Sequence, residues 1–174
     1  MASIASQQRR GWVFAWAVLG NLALLGDASH RMLDAAARHA GSSTWPTAEL
    51  VLAVVFAVGF AWGEGHHALA RRFVPMLVER AEALRAEPPS WRDVLAPLCV
   101  AGLVAAPRAR LLRSWGRVVG IVAMVVAIRA LPSGIRAGID LGVGLALAWG
   151  ALALLRLAAA RVRAPAIVLR TDAR

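Results

Sequence analysis

Residues 141–155 read LGVGLALAWGALALL, an uncharged stretch that lies between Asp140 and Arg156. As a helix it rises about 22 Å, which is short of the ~30 Å hydrocarbon core of a bilayer. Arginine side chains at its ends can make up the difference because they can extend to the headgroups. Three more apolar stretches share this form, so the sequence predicts four spans, at about 11–31, 46–70, 114–131 and 134–158.

The composition favours the same class of protein. Of the 174 residues, 59% are hydrophobic and 17% are charged, whereas a soluble domain usually has about 25% charged residues. So little polar surface is difficult to reconcile with a water-soluble particle. We therefore expect an all-α fold: a polytopic membrane protein with a four-transmembrane-helix bundle, in which residues 1–174 form a single membrane domain.

The distribution of arginine predicts the orientation of this bundle. All 20 basic residues are arginine, and four spans would place 16 of them on one side of the membrane and 4 on the other. Because cytoplasmic loops accumulate positive charge, we expect both termini in the cytoplasm of a bacterial-type cell, with the protein in its inner membrane. Tryptophan is enriched at membrane interfaces, and Trp12, Trp45 and Trp115 fit such a belt. The net charge of +10 is thereby explained without nucleic acid as a partner.

Residues 71–113 are predicted to form a cytoplasmic surface segment. Phe73, Leu77, Ala81 and Leu84 form an apolar stripe at helical spacing. This amphipathic helix either lies on the inner surface or continues the second span, and Pro88-Pro89 should end it. The apolar residues 94–106 contain Pro97 and precede a run of arginines, so we expect a re-entrant or interfacial segment rather than a fifth span.

Small residues mark the faces through which the helices should associate. Membrane helices pack closely where glycine and alanine recur four residues apart. Such pairs or stripes occur in three spans: Gly59 with Gly63; Gly116 with Gly120; and Gly142 with Ala146 and Gly150. We expect them to be internal seams of the bundle, the alternative being a face for another protein. Asn21 lies in mid-span and should hydrogen-bond to a neighbouring helix.

Ionisable residues within spans are the first places to look for function. A candidate outer-face polar cluster consists of Asp27 and His30 on the first span with Arg129 and Asp140 on either side of a tight turn. Asp27 and His30 are three residues apart and should share a helical face. Their positions across this turn would allow Arg129 and Asp140 to meet as an ion pair. The cluster either handles a proton or an ion, or its members simply neutralise one another.

A second candidate site lies around the sequence Gly63-Glu64-Gly65-His66-His67. On an α-helix Glu64 and His67 share a face and His66 points elsewhere. The other spans are predicted to bring mainly arginine to the same level, which suits an anion such as a lipid phosphate better than a metal. This candidate inner-face anion site comprises Glu64, His66, His67, Arg71, Arg113 and Arg117. The alternative is an interfacial cap around the second span.

Signatures of common cofactors and catalytic sites are missing from the sequence. Cys99 is the single cysteine, so no intrachain disulfide or multi-cysteine metal site can form. His30 and the pair His66 and His67 lie at opposite ends of an antiparallel hairpin, about 25 Å apart in height, which excludes a haem held between them. There is no Gly-x-Ser-x-Gly elbow, phosphate-binding glycine loop or His-Glu-x-x-His motif. We expect no metal, no cofactor and no catalytic residue.

These features predict a small inner-membrane protein that serves as an accessory, assembly or scaffold subunit of a membrane complex. Its partners would be the lipid bilayer, anionic lipid headgroups at the inner face, and other membrane proteins or further copies of itself. One alternative is a small subunit of a solute or ion transporter that uses Asp27, His30 and Asp140. A weaker alternative is a membrane enzyme that acts on a lipid-linked substrate through Glu64 and His67.

Overall fold

The structure is a computed structural model that describes residues 2–42 and 46–163, with side chains described for 10–41 and 46–163. Trp45 and the C-terminal arginines beyond Arg163 lie outside the described residues. Within them the chain is helical, without strands. The elements are α1 (Ala2–Ser42), α2 (Thr47–Phe60), a π-helix (Ala61–Phe73), α3 (Val74–Ala86), a 3-10 turn (Trp91–Asp93), α4 (Ala96–Ala101), α5 (Arg108–Arg129) and α6 (Ser133–Arg163).

In the part of the chain that the structure describes, four helices are long and apolar enough to cross a membrane, as the sequence predicts: Arg10–Gly41, Thr47–Ala86, Arg108–Arg129 and Ser133–Arg163. The second is one continuous rod made of α2, the π-helix and α3. Its 40 residues rise roughly 60 Å at the α-helical spacing, about twice the thickness of a hydrocarbon core. The amphipathic helix is therefore a continuation of the second candidate span, and it ends at Ala86 just before the two prolines.

Helix α6 lies between α1 and the long rod and packs on both through glycines. A Cβ atom at Gly142 would come within 2.6 Å of the Phe56 carbonyl oxygen, and one at Gly138 within 2.9 Å of Ala53 Cα. On the side facing α1, a Cβ at Gly144 would lie 2.8 Å from Leu33 Cγ. Only glycine permits these approaches, so the predicted seam along α6 is confirmed as internal packing.

The main apolar core lies toward the opposite end of α6, where the first half of α1, α3 and α4 converge on it. The predicted stripe of the amphipathic helix supplies its centre: Leu77 and Ala81 are fully buried, and Leu84 nearly so. The stripe thus packs against protein. The fully or almost fully buried members of this core are Val13, Phe14, Ala17, Val18, Val74, Leu77, Val78, Ala81, Leu84, Ala96, Val100, Leu154 and Ala158.

The apolar segment 94–106 forms no continuous spanning helix. Its only helix, α4, is six residues long and ends at Gly102, which has a φ of 77°. The buried side chain of Asn21 fixes α4 to α1 by donating from Nδ2 to the Pro97 carbonyl oxygen at 3.0 Å. The predicted hydrogen bond from Asn21 to a neighbouring helix is therefore confirmed.

Helix α5 departs from the predicted four-helix bundle. It makes no extensive backbone approach to any other described helix, and beyond Ser114 none of its residues is buried. The packed unit is thus α1, the long rod and α6, with α5 beside it. Close approach between membrane helices needs small residues on the contact, and the glycines of α6 already face α1 and the rod. Cβ atoms at Gly116 and Gly120 would meet nothing within 4 Å, and the same holds for Gly59 and Gly63, so neither pair forms an internal seam.

Candidate functional site

Two tryptophans and two histidines form an aromatic group where the π-helix faces α6. The Trp62 indole stacks on the His66 imidazole with ring centroids 5.1 Å apart, and the His66 ring meets Trp149 edge-on at 6.1 Å. The His67 ring is 5.2 Å from that of His66. His67 Nδ1 lies 3.2 Å from the Trp62 carbonyl oxygen, which can only accept, so this bond requires the proton on Nδ1. We call these four residues the His–Trp group.

The π-helix explains why this group differs from the sequence prediction. On an α-helix His66 would point away from His67, yet the two rings are in contact. A π-helix bonds i to i+5 and so brings Trp62 over both His66 and His67. Its 13-residue length is unusual because π-helices are mostly single-turn bulges, which are frequent at functional sites. The pattern of apolar residues gives no sign of the π-helix. Gly65 lets this segment lie against the α6 backbone, since a Cβ at this position would be 3.1 Å from Ala146 Cα.

The predicted inner-face anion site is divided in the structure. Glu64 and His67 are exposed on the π-helix, and Gly65 places this segment beside Ala146 and Trp149. Trp149 is seven residues from Arg156, or about 10 Å along α6. Arg10 donates to the Leu84 carbonyl oxygen, at the far end of α3. Arg10 and Arg156 therefore lie at other levels than the histidines, and no described contact joins Glu64 to His67 or Arg71 to either of them.

The arginines of α5 gather instead around Gly102, at the end of α4. Arg80 of α3 donates from Nη1 to the Val100 carbonyl oxygen at 3.0 Å. A Cβ at Gly102 would lie 3.1 Å from Ser114 Oγ, 3.3 Å from Arg80 Nη1 and 3.5 Å from Arg110 Cδ. Arg117 is seven residues beyond Arg110 and lies on the same face of α5. Arg113, by contrast, turns back along its own helix and donates from Nε to the Ala109 carbonyl oxygen.

The predicted outer-face polar cluster does not converge either. Asp27 accepts from Arg31 Nε at 2.9 Å, one turn along α1, and no described contact joins it to His30. Asp140 is half-buried and interacts with Arg136 of its own helix. Arg129 is exposed and forms no ion pair within the described residues. The predicted pair between Arg129 and Asp140 is absent there because α5 and α6 diverge after the turn.

The contacts of α6 also show that the apolar stretches of the helices are staggered. Phe56, midway along the uncharged stretch of α2, lies beside Gly142, whereas the middle of the α6 stretch is Ala148. The offset of six residues corresponds to about 9 Å. On α1, Ser29 bonds to the Gly144 carbonyl oxygen. The middle of the uncharged stretch of α1 therefore lies toward the C-terminal end of α6, whereas that of α2 lies toward its N-terminal end. The His–Trp group is consequently level with the middle of the apolar stretch of α6.

One apolar groove of about 420 Å³ lies between the end of α1, α2 and α6. Its lining contains no polar surface, so it offers nothing to orient a polar solute. The residues that line it are Ala40, Leu50, Ala53, Val54, Ala57, Val58 and Leu141.

Cys99 of α4 lies at the edge of the main core. Burial raises the pKa of its thiol, and a hydrogen bond and charge from Arg92 act in the opposite direction. A thiol with a raised pKa holds less reactive thiolate at neutral pH, so this residue does not have the properties of a nucleophile.

Three contacts of the structure were not anticipated from the sequence. Ser29 donates to the Gly144 carbonyl oxygen, Trp149 completes the His–Trp group, and Arg80 joins the arginines of α5. Only the last had a local signal, since Arg110, Ser114 and Arg117 recur at the spacing of one helical face.

Among the described residues, no group of three or more histidine, cysteine, aspartate or glutamate side chains could hold a metal ion. Comparisons of the chain with protein-family models, with curated proteins and with solved structures find no match.

Proposed function

We propose that this protein is a small accessory, assembly or scaffold subunit of a membrane complex, embedded in a bacterial-type inner membrane with both termini in the cytoplasm. The main support for the proposal is the exposure of α5. It is long and apolar enough to cross a membrane, yet beyond Ser114 none of its residues is buried. Its Gly116 and Gly120 have the spacing that permits close helix contact, and both face open space.

A second observation supports a partner over lipid alone. Glu64 and His67 are exposed at a level where α6 is apolar, and Trp62 and Trp149 are also half or more exposed there. Lipid is a poor solvent for ionisable side chains, which in membrane proteins almost always face protein or a water-filled cavity. A helix of another protein, or of a second copy, would cover them.

The transport alternative receives less support from the described residues. It requires Asp27, His30 and Asp140 to share a pathway, but Asp27 is paired with Arg31 and no described contact joins it to His30 or Asp140. The enzymatic alternative requires Glu64 and His67 to act as a pair, and no described contact joins them. A subunit that positions other proteins needs neither arrangement.

The proposal is tested by extracting the protein with a mild detergent and measuring the mass of the particle. We expect a mass above that of one chain with its detergent belt, with co-purifying protein or additional copies. The double variant Gly116→Leu/Gly120→Leu should lose this association while still inserting. Gly26→Leu is the matched control, because Gly26 also faces open space but lies on α1. A wild-type protein that emerges as a lone monomer would contradict the proposal.

A further inference from the structure

A polar recess lies where α4 ends against α3 and α5. Gly102 forms its floor: the backbone adopts a left-handed conformation there, and the missing Cβ leaves room for the Arg80 guanidinium and the Ser114 hydroxyl. Trp115 fixes the start of α5 over it by donating from Nε1 to the Leu103 carbonyl oxygen at 3.2 Å. The recess is therefore held by contacts from three segments and does not depend on one flexible side chain.

Two further arginines flank this recess on one face of α5. Arg110, Ser114 and Arg117 are spaced four and three residues apart, which aligns them along the helix. Ser114 is buried against the recess, and the two arginines are exposed on either side of it. Ser114 Oγ and Arg80 Nη1 both lie next to Gly102, so this face of α5 is turned toward Arg80.

Arginines gathered in one place favour an anionic ligand. The described ion pairs include neither Arg80 nor Arg110 nor Arg117. Two acids of the same region are paired with other arginines: Glu82 with Arg161 at 3.0 Å and Glu87 with Arg92 at 2.5 Å. Arg80 uses one nitrogen to bond the Val100 carbonyl oxygen, which leaves other guanidinium donors for a ligand.

We infer that Arg80, Arg110, Arg117 and the Ser114 hydroxyl bind a phosphate-type anion in the recess at Gly102. Guanidinium groups match phosphate oxygens in geometry as well as in charge, and a hydroxyl adds a neutral donor. The phosphate can be that of an anionic lipid headgroup or a free phosphate ion. This site is distinct from the His–Trp group and does not depend on the proposed role of the Gly116 and Gly120 face.

The test uses the full-length protein purified in dodecyl maltoside. Its thermal unfolding midpoint is measured against increasing phosphatidylglycerol, phosphatidylcholine or inorganic phosphate. We expect phosphatidylglycerol to raise the midpoint and phosphatidylcholine to leave it unchanged. The double variant Arg110→Gln/Arg117→Gln should weaken the apparent affinity for phosphatidylglycerol about tenfold or more. It leaves Arg80 in place, so the hydrogen bond from Arg80 to the Val100 carbonyl oxygen of α4 is preserved.

The matched control is Arg108→Gln/Arg113→Gln, which removes two charges from the same helix but away from the recess. We expect it to change the affinity by less than about threefold, since only diffuse attraction is reduced. If inorganic phosphate alone gives the full shift and the lipid adds nothing, the ligand is the free ion and the site stands. Equal losses in both double variants, or no response of the wild-type protein to any anion, would overturn the inference.

Discussion

Helices α5 and α6 both carry small residues four apart, yet the structure uses them differently. Gly142 and Gly150 of α6 lie against the Phe56 backbone and the Leu69 side chain, whereas the positions beside Gly116 and Gly120 of α5 are open. The same sequence pattern therefore marks an internal seam in one helix and an uncovered face in the other. Small residues show that a helix can approach another closely, but not which helix that is.

The largest effect should follow from filling the α6 seam. A leucine at Gly142 would place Cβ 2.6 Å from the Phe56 carbonyl oxygen, and backbone cannot yield as a side chain can. We expect Gly142→Leu to destabilise the folded protein by more than about 3 kcal/mol, beyond the usual range for overpacking, or to abolish the folded form. Thermal unfolding in detergent measures this. A stable, normally folded variant would show that close packing at Gly142 is not required.

A smaller effect is expected where a polar contact holds a short segment. Asn21→Leu removes the amide that donates to the Pro97 carbonyl oxygen, the polar contact that ties α4 to α1. We expect a loss of about 1–2 kcal/mol in the free energy of unfolding. An unchanged unfolding midpoint would show that α4 is held by its apolar contacts alone.

The reactivity of the Cys99 thiol is a second way to measure how firmly α4 is held. Because burial raises the pKa of its thiol, alkylation by a maleimide should be slower than for a free thiol at pH 7.0 and rise as the pH increases, since only the thiolate reacts. Asn21→Leu should accelerate the reaction by loosening α4. Arg92→Gln should slow it, because the arginine lowers the thiol pKa. A rate equal to that of a free thiol in the unaltered protein would contradict this prediction.

A smaller loss of stability is expected from removing one hydrogen bond between α1 and α6. Ser29 donates from Oγ to the Gly144 carbonyl oxygen at 2.9 Å, and interhelical bonds of this kind contribute about 0.6 kcal/mol on average. Ser29→Ala should lower the free energy of unfolding by that amount, again measured by unfolding in detergent. A loss as large as that of Gly142→Leu would mean that the seam depends on this bond rather than on glycine packing.

The smallest effect on stability is expected on the open face. A Cβ at Gly116 or Gly120 meets no atom within 4 Å, so we expect leucine at both positions to change the free energy of unfolding of the isolated chain by no more than about 0.5 kcal/mol. In the same variant the association with a partner should be lost. The contrast between this outcome and that of Gly142→Leu separates the two uses of glycine.

The four apolar helices were predictable because charge ends each stretch and the arginines flank them. The end of the amphipathic helix before Pro88 and the bond from Asn21 followed from equally local chemistry. The relative axial positions of the helices could not be predicted from local sequence, because they depend on which glycine meets which neighbour, for example Gly142 with Phe56. The π-helix, which also could not be predicted, changed which side chains share a face.

The central claim is that α5 is covered by another protein chain in the membrane. A cysteine at position 120, in a Cys99→Ala background, would carry a photoactivatable crosslinker in intact membranes, with a cysteine at position 26 as the matched control. We predict a protein adduct of higher mass from position 120 and mainly lipid adducts from position 26. Lipid adducts alone from both positions would contradict the account.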